Sequence, residues 1–139
     1  MTVYIFDSDH LSLHQRGHES LKYRLLSVKP EQICITIISV EELLRGRLAQ
    51  IHKAKEAEDR IRSYYWLSKT IDYLNSFTIV NYDLPAETHF QMLRKLKIRI
   101  GVQDMKIAAI SLSQNAVLIT RNKQDFGRVP SLRIEDWSA

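Results

Sequence analysis

Val3-Tyr4-Ile5-Phe6-Asp7-Ser8-Asp9 decides the reading of the fold, because four apolar residues stop at an acid. That is the pattern of a short buried strand handing the chain to a loop or a helix start. Ile33-Cys34-Ile35-Thr36-Ile37 repeats it, entered from Pro30, whose ring forces an extended approach. Phe77 to Val80, Val117 to Thr120 and Leu132 to Ile134 are further strand candidates. Runs of this kind, apolar without alternation, suit strands covered on both faces.

The intervening segments have helical spacing. Leu11, Leu13, Leu21, Leu25 and Leu26 predict two helices divided by Gly17. Ser39-Val40-Glu41-Glu42 has the form of a capping box and predicts a helix start at Ser39, with Gly46 expected to fray that helix early. Ile51, Ala54, Ala57, Ile61, Tyr65, Ile71 and Leu74 predict one long amphipathic helix or two joined ones, with Glu56/Arg60 and Glu58/Arg62 as charge pairs one turn apart. Asp83-Leu84-Pro85 starts a helix running to about Lys97, and another is expected from Asp104 to Asn115. Strands alternating with helices give an α/β domain with a mainly parallel sheet, and no repeat or linker divides residues 1–139.

Composition sets the outer limits. With 45% hydrophobic and 26% charged residues, the 139-residue chain has the make-up of a folding domain, not of a disordered one. The one cysteine, Cys34, can form no internal disulfide and reads as a buried thiol in a reducing compartment. No basic leader and no apolar stretch near the ~20 residues of a membrane span is present, so the expectation is a cytoplasmic protein with no membrane partner. A net charge of +4 is compatible with a polyanionic partner without requiring one.

In open parallel sheets the ligand site lies beyond the carboxyl ends of the strands. Asp7 follows the first strand, Glu42 the second, Asp104 opens a helix, and Asn122 and Asp125 follow the fourth strand. Each has an ordinary explanation, since Asp7, Asp9 and Asp104 could cap helices and Glu42 could complete its capping box. Capping does not require the helix starts to converge on one sheet edge, however, and carboxylates gathered there would repel unless a cation neutralised them. Oxygen donors of this type suit Mg2+, with Mn2+ as an alternative.

The motifs also resemble a known family. Ile5-Phe6-Asp7-Ser8-Asp9-His10-Leu11-Ser12 looks like the Asp-Thr-Asn/Asp opening of PIN-domain ribonucleases of the VapC toxin type. Ser39-Val40-Glu41-Glu42-Leu43-Leu44-Arg45-Gly46 resembles the family's Glu-Leu-x-x-Gly helix start, and Asp104-Met105-Lys106-Ile107-Ala108-Ala109 its Asp-x-x-Ile-Ala-Ala helix. Leu118-Ile119-Thr120-Arg121-Asn122-Lys123-Gln124-Asp125-Phe126 is similar to its Thr-x-Asn/Asp…Asp-Phe turn, and the ending from Pro130 to Trp137 to its last strand. The motifs stand in family order, while residues 51 to 80 carry little of the pattern. Where many relatives have a fourth acid this chain has Asn122, which brings no charge to a second ion and leaves one or two ions open.

The resemblance implies a PIN-like three-layer domain that hydrolyses RNA phosphodiester bonds. Asp7 and Asp104 would hold Mg2+, and Glu42 would ligate through water or orient the attacking water. Asp9, Ser39, Thr120, Asn122 and Asp125 would fix the geometry of these acids, and Arg45, Arg47, Arg121, Lys123 and Arg128 would position the RNA backbone. A cognate antitoxin protein and a homodimer are implied as partners. His10, His14 and His18 are expected at helix-surface positions, since no second ligand set accompanies them. Tyr64, Tyr65 and Trp66 read as an interface. Two other readings compete. Phe6-Asp7-Ser8-Asp9 also fits a haloacid-dehalogenase-like phosphatase with Asp7 as nucleophile and Asp9 as acid, although His10-Leu11 stands where Gly-Thr is needed. A PIN fold that only binds RNA or scaffolds a complex is the non-enzymatic alternative.

Overall fold

A computed structural model describes residues 1–139. Strand β1 (Tyr4–Phe6) is followed by helices α1 (Ser8–Gln15) and α2 (Glu19–Leu25), and a single 3-10 turn at Pro30–Gln32 leads into β2 (Ile33–Thr36). Helices α3 (Ile37–Lys53) and α4 (Ala57–Asn75) then precede β3 (Thr78–Val80), and α5 (Leu84–Lys95) and α6 (Val102–Ser113) precede β4 (Val117–Ile119). Short α7 (Lys123–Phe126) and β5 (Arg133–Glu135) complete the chain. The five strands form one sheet in the order β3-β2-β1-β4-β5, with every neighbouring pair parallel.

Alternation along each strand divides the core in two. Ile5, Cys34 and Leu118 face one side, packed with Phe90 and Leu93 of α5 and Ile107, Ala108 and Ile110 of α6. Phe6, Ile33, Ile35, Val117 and Ile119 face the other, against Leu11, Leu13, Leu21, Leu74 and Trp137. Both faces are therefore apolar, which explains the uninterrupted strand patterns and gives the helix-sheet-helix layering. Cys34 is buried and free.

Several boundaries differ from the sequence expectation, each for a local reason. Helix α3 starts at Ile37, because the Thr36 hydroxyl caps it by accepting from Ser39 N–H at 3.1 Å. No capping box forms at Ser39/Glu42, so the Glu42 carboxylate is released from the backbone. Gly46 does not fray the helix, which runs on to Lys53 and breaks at residues 54–56 instead of continuing as one rod. Helix α6 begins at Val102 after Gly101, so Asp104 sits inside its first turn and is not its cap. His10 is fully buried, contrary to the surface position expected, while His14 is half-buried beside Tyr73 and His18 caps α2. No helix is long and apolar enough to cross a membrane.

Thr36 is fully buried at the turn from β2 into α3, so its cap cannot be replaced by water. Thr36→Val keeps the shape and removes the acceptor. It is expected to cost about 1–2 kcal/mol, a fall of roughly 3–8 °C in Tm for a domain of this size, while Thr36→Ser stays within a degree or two of the parent in thermal melts.

Candidate active site

Asp7 leaves β1 at the carboxyl edge of the sheet, held by its own N–H donating to Ile119 O at 3.1 Å. Its side chain caps α1, Oδ1 accepting from His10 N–H at 2.7 Å. The next residue supplies a link that the sequence reading missed. Ser8 Oγ donates to Glu42 Oε1 at 2.6 Å and lies 2.9 Å from Ser39 Oγ, so the start of α1 fixes the carboxylate carried by α3. Asp104 approaches from α6. Together Asp7, Ser8, Asp9, Glu42, Asp104, Arg121, Asn122 and Phe126 line a cavity of about 360 Å3.

The charges in this cavity are not balanced. Burial pushes the Asp104 carboxyl up to about 6, and the negative charges of Glu42, Asp7 and Asp125 add to the rise. Asp9 contributes little to this field, since Arg121 grips it with two bonds of 2.7 and 3.0 Å at the exposed rim. The same pair holds the Arg121 guanidinium above its ordinary value. Asn122 caps α7 by accepting from Asp125 N–H at 3.3 Å, donates its amide to Asp125 Oδ2 at 3.0 Å, and donates its backbone N–H to the buried Thr120 hydroxyl at 2.9 Å. An aspartate at position 122 would instead face Asp125 with a second negative charge. The amide thus serves the turn that carries Asp125.

The donor chemistry fits a hard divalent cation: Asp7, Glu42 and Asp104 offer oxygen only, and Asp104 is raised by burial and, in second place, by the negative charges beside it. No group of three His, Cys, Asp or Glu side chains is drawn together as a closed cage. Mg2+ needs none, because it dehydrates reluctantly and takes one or two carboxylates with several waters.

The basic residues divide. Arg121 lines the acidic cavity, whereas Arg45 pairs with Glu41 at 2.7 Å, Arg128 bonds Arg99 O and lies 3.5 Å from Asp125, and Lys123 is exposed as the first residue of α7. Arg47 lines two further cavities of about 370 and 410 Å3. The first shares Ser8 and Glu42 with the acidic cavity, and the second continues from it past Gln50 to Lys53, Arg62 and Trp66. Arg47 is fixed there by Thr70 Oγ1 at 2.9 Å and lies 5.5 Å from the Trp66 ring centre. One trough therefore leads from the acids along α3 into the α3/α4 hairpin. Gln15 and Gln50 were not anticipated as part of it, and Trp66, read from the sequence with Tyr64 and Tyr65 as an interface, lines its far end.

Residues 4–132 match the PIN domain family. The chain is 27% identical over 115 residues to the tRNA(fMet)-specific endonuclease VapC of Salmonella typhimurium, covering 80% of each protein. It is 31% identical over 110 residues to ribonuclease VapC1 of Haemophilus influenzae strain R2866, covering 78% of this chain and 76% of that relative. Its fold superimposes on the crystal structure of DNA-bound VapBC from Salmonella typhimurium with a TM-score of 0.78, at 24% identity over 99% of both chains. Neither the phosphatase nor the non-enzymatic reading finds support, and Asp9, bound to Arg121, is not free to serve as an acid.

A carboxyl that holds its proton more tightly folded than unfolded adds stability at low pH and loses it as the pH rises through its folded value. For Asp104 that window runs from roughly 4 to 6. In EDTA, Asp104→Asn is expected to match the parent near pH 4 and to become more stable than it as the pH rises to 6, with no further divergence above. Allowing for solvent screening of this half-buried carboxyl, the plateau is on the order of 1 kcal/mol. Paired melts at pH 4, 5, 6 and 7.5 check it, and an asparagine variant less stable at every pH contradicts the charge imbalance.

Proposed function

The chain belongs to the PIN-domain family, among the VapC-type ribonucleases, and from that premise we propose that it is a Mg2+-dependent endoribonuclease, the toxin of a toxin–antitoxin pair. The observation that supports this most is the gathering of Asp7, Glu42 and Asp104 on one solvent-open cavity, with the Asp104 carboxyl pushed up by burial and by the charges of its neighbours. Asp7 and Asp104 would hold the ion, Mn2+ being an alternative, and Glu42 would face it through water. The bound ion supplies Lewis-acid activation of water and neutralises charge developing on the phosphate.

This chain's own groups perform the remaining tasks. Ser8 keeps the Glu42 carboxylate in one orientation, so that it can order the attacking water. Ser39 meets the Ser8 hydroxyl, and Thr120, Asn122 and Asp125 brace one another in the turn after β4. Arg121, at the rim, approaches the phosphate side of the cavity, and the RNA strand leaves along the trough past Arg47. Residues Glu42 to Lys53 of α3 span roughly 17 Å at 1.5 Å per residue, room for four or five stacked nucleotides at about 3.4 Å each. Arg45, Lys123 and Arg128, which do not line these cavities, contribute general attraction to the backbone.

The structural relative is a VapBC assembly, and a cognate antitoxin is part of the same reading. So are a homodimer and cytoplasmic residence of a chain folded as a single domain.

Purified chain incubated with total RNA should release 5′-defined fragments in Mg2+, none in EDTA, and none when Asp7 is replaced by Asn, which preserves the cap on α1. Cleavage surviving in Asp7→Asn would overturn the metal-site reading. Induction of the parent chain alone should arrest growth, with relief by the small protein encoded beside it. Normal growth at confirmed expression would count against a toxin.

A further inference from the structure

His10 is fully buried, and its Nδ1 is a buried side-chain polar atom with no hydrogen-bond partner. Every other feature of its setting is ordered. Nε2 accepts from the Trp137 backbone N–H at 3.3 Å, which requires a lone pair there and so places the ring proton on Nδ1. Asp136 Oδ1 is 3.5 Å from Nε2, but it is already occupied by the Ser138 N–H and hydroxyl at 2.8 and 2.5 Å. Nδ1 faces Asp7 Oδ1 at 3.5 Å, a contact outside hydrogen-bond geometry here, and that oxygen also receives the cap bond from His10's own backbone.

We propose that His10 is a positioning residue for Asp7: its Nδ1–H, fixed in that tautomer by the backbone at Trp137, steers the carboxylate that lines the acidic cavity. The proposal rests on the nuclease reading and goes beyond it by making the last residues of the chain part of the active site's support. A buried donor without a hydrogen bond is rare and asks for a specific explanation, and the group facing this one is the Asp7 carboxylate. Groups that hydrogen-bond a metal-binding side chain characteristically change affinity or rate 10–100-fold when removed. The Phe6 ring, 6.3 Å from the imidazole, and Trp137 close the pocket around it, so water cannot substitute for His10 without repacking.

Two replacements separate the two ring nitrogens. Asn places an amide N–H where Nδ1 stands and has nothing at Nε2; Gln reaches Nε2 with a carbonyl oxygen and has no donor at Nδ1. His10→Gln should retain the link to Trp137 yet lose cleavage rate 10–100-fold at similar KM for RNA, with a matching loss of Mn2+ affinity by calorimetry on RNA-free protein. His10→Asn should recover most of both. A Gln variant equal to the parent in rate and Mn2+ affinity overturns the proposal. Should either variant fold poorly, the parent decides: long-range 1H–15N spectra must show a protonated Nδ1 and an unprotonated Nε2 at His10, and the reverse tautomer refutes it. Loss of cleavage in Asp7→Asn with none in His10→Gln removes only the role of His10, whereas cleavage surviving in Asp7→Asn removes the nuclease reading itself.

Discussion

Like charges confined to one sheet edge are the constraint around which the molecule is arranged. Parallel strands all deliver their carboxyl ends to the same side, so Asp7 and the start of the Glu42 helix reach that side together, and α6 adds Asp104. Repulsion among them is not shared equally. Asp7 accepts the cap bond of α1, and Glu42 accepts from the Ser8 hydroxyl. Burial first, and then the charges of Glu42, Asp7 and Asp125, push the Asp104 carboxyl up to about 6.

Capping and the acidic cavity are two uses of the same atoms. The Asp7 carboxylate closes α1 and lines the cavity; the Asn122 amide closes α7 and braces Asp125. Helix N-termini favour negative charge, so placing them at the carboxyl edge partly offsets the repulsion that the acids create. The economy has a consequence for mutagenesis. A substitution at Asp7 or Asn122 alters a helix end and a charge together, and only isosteric exchanges between acid and amide keep the first while changing the second.

Much of this was legible in the sequence. The five strands, the parallel α/β class and the acids at strand ends followed from apolar runs and their terminators, because burial on both faces writes an unambiguous pattern. Helix starts were less legible: Thr36, hidden within an apolar run, outcompeted Ser39 as a cap, a choice fixed by where β2 ends in space. The Ser8–Glu42 bond spans 34 residues, and the His10–Trp137 contact 127. No local period encodes contacts of that range. The i,i+4 histidines suggested a surface face, and only the packing of the C-terminal segment over α1 shows why His10 lies inside. The trough beside α3 was equally invisible, since it exists only once α4 folds back and Thr70 meets Arg47.

Strand β1 is the centre of the sheet, and its neighbours are β2 on one side and β4 on the other, with Tyr4 registered against Val117. The acidic cavity therefore joins Asp7, just after β1, to Arg121 and Asn122, just after β4. During synthesis at roughly 5–20 residues per second, the interval between Asp7 and that strand is on the order of ten seconds. Throughout it the carboxylates have no common surface on which to meet. The order of the strands is thus also a clock: the acidic edge cannot be assembled until β4 has been made and has paired with β1.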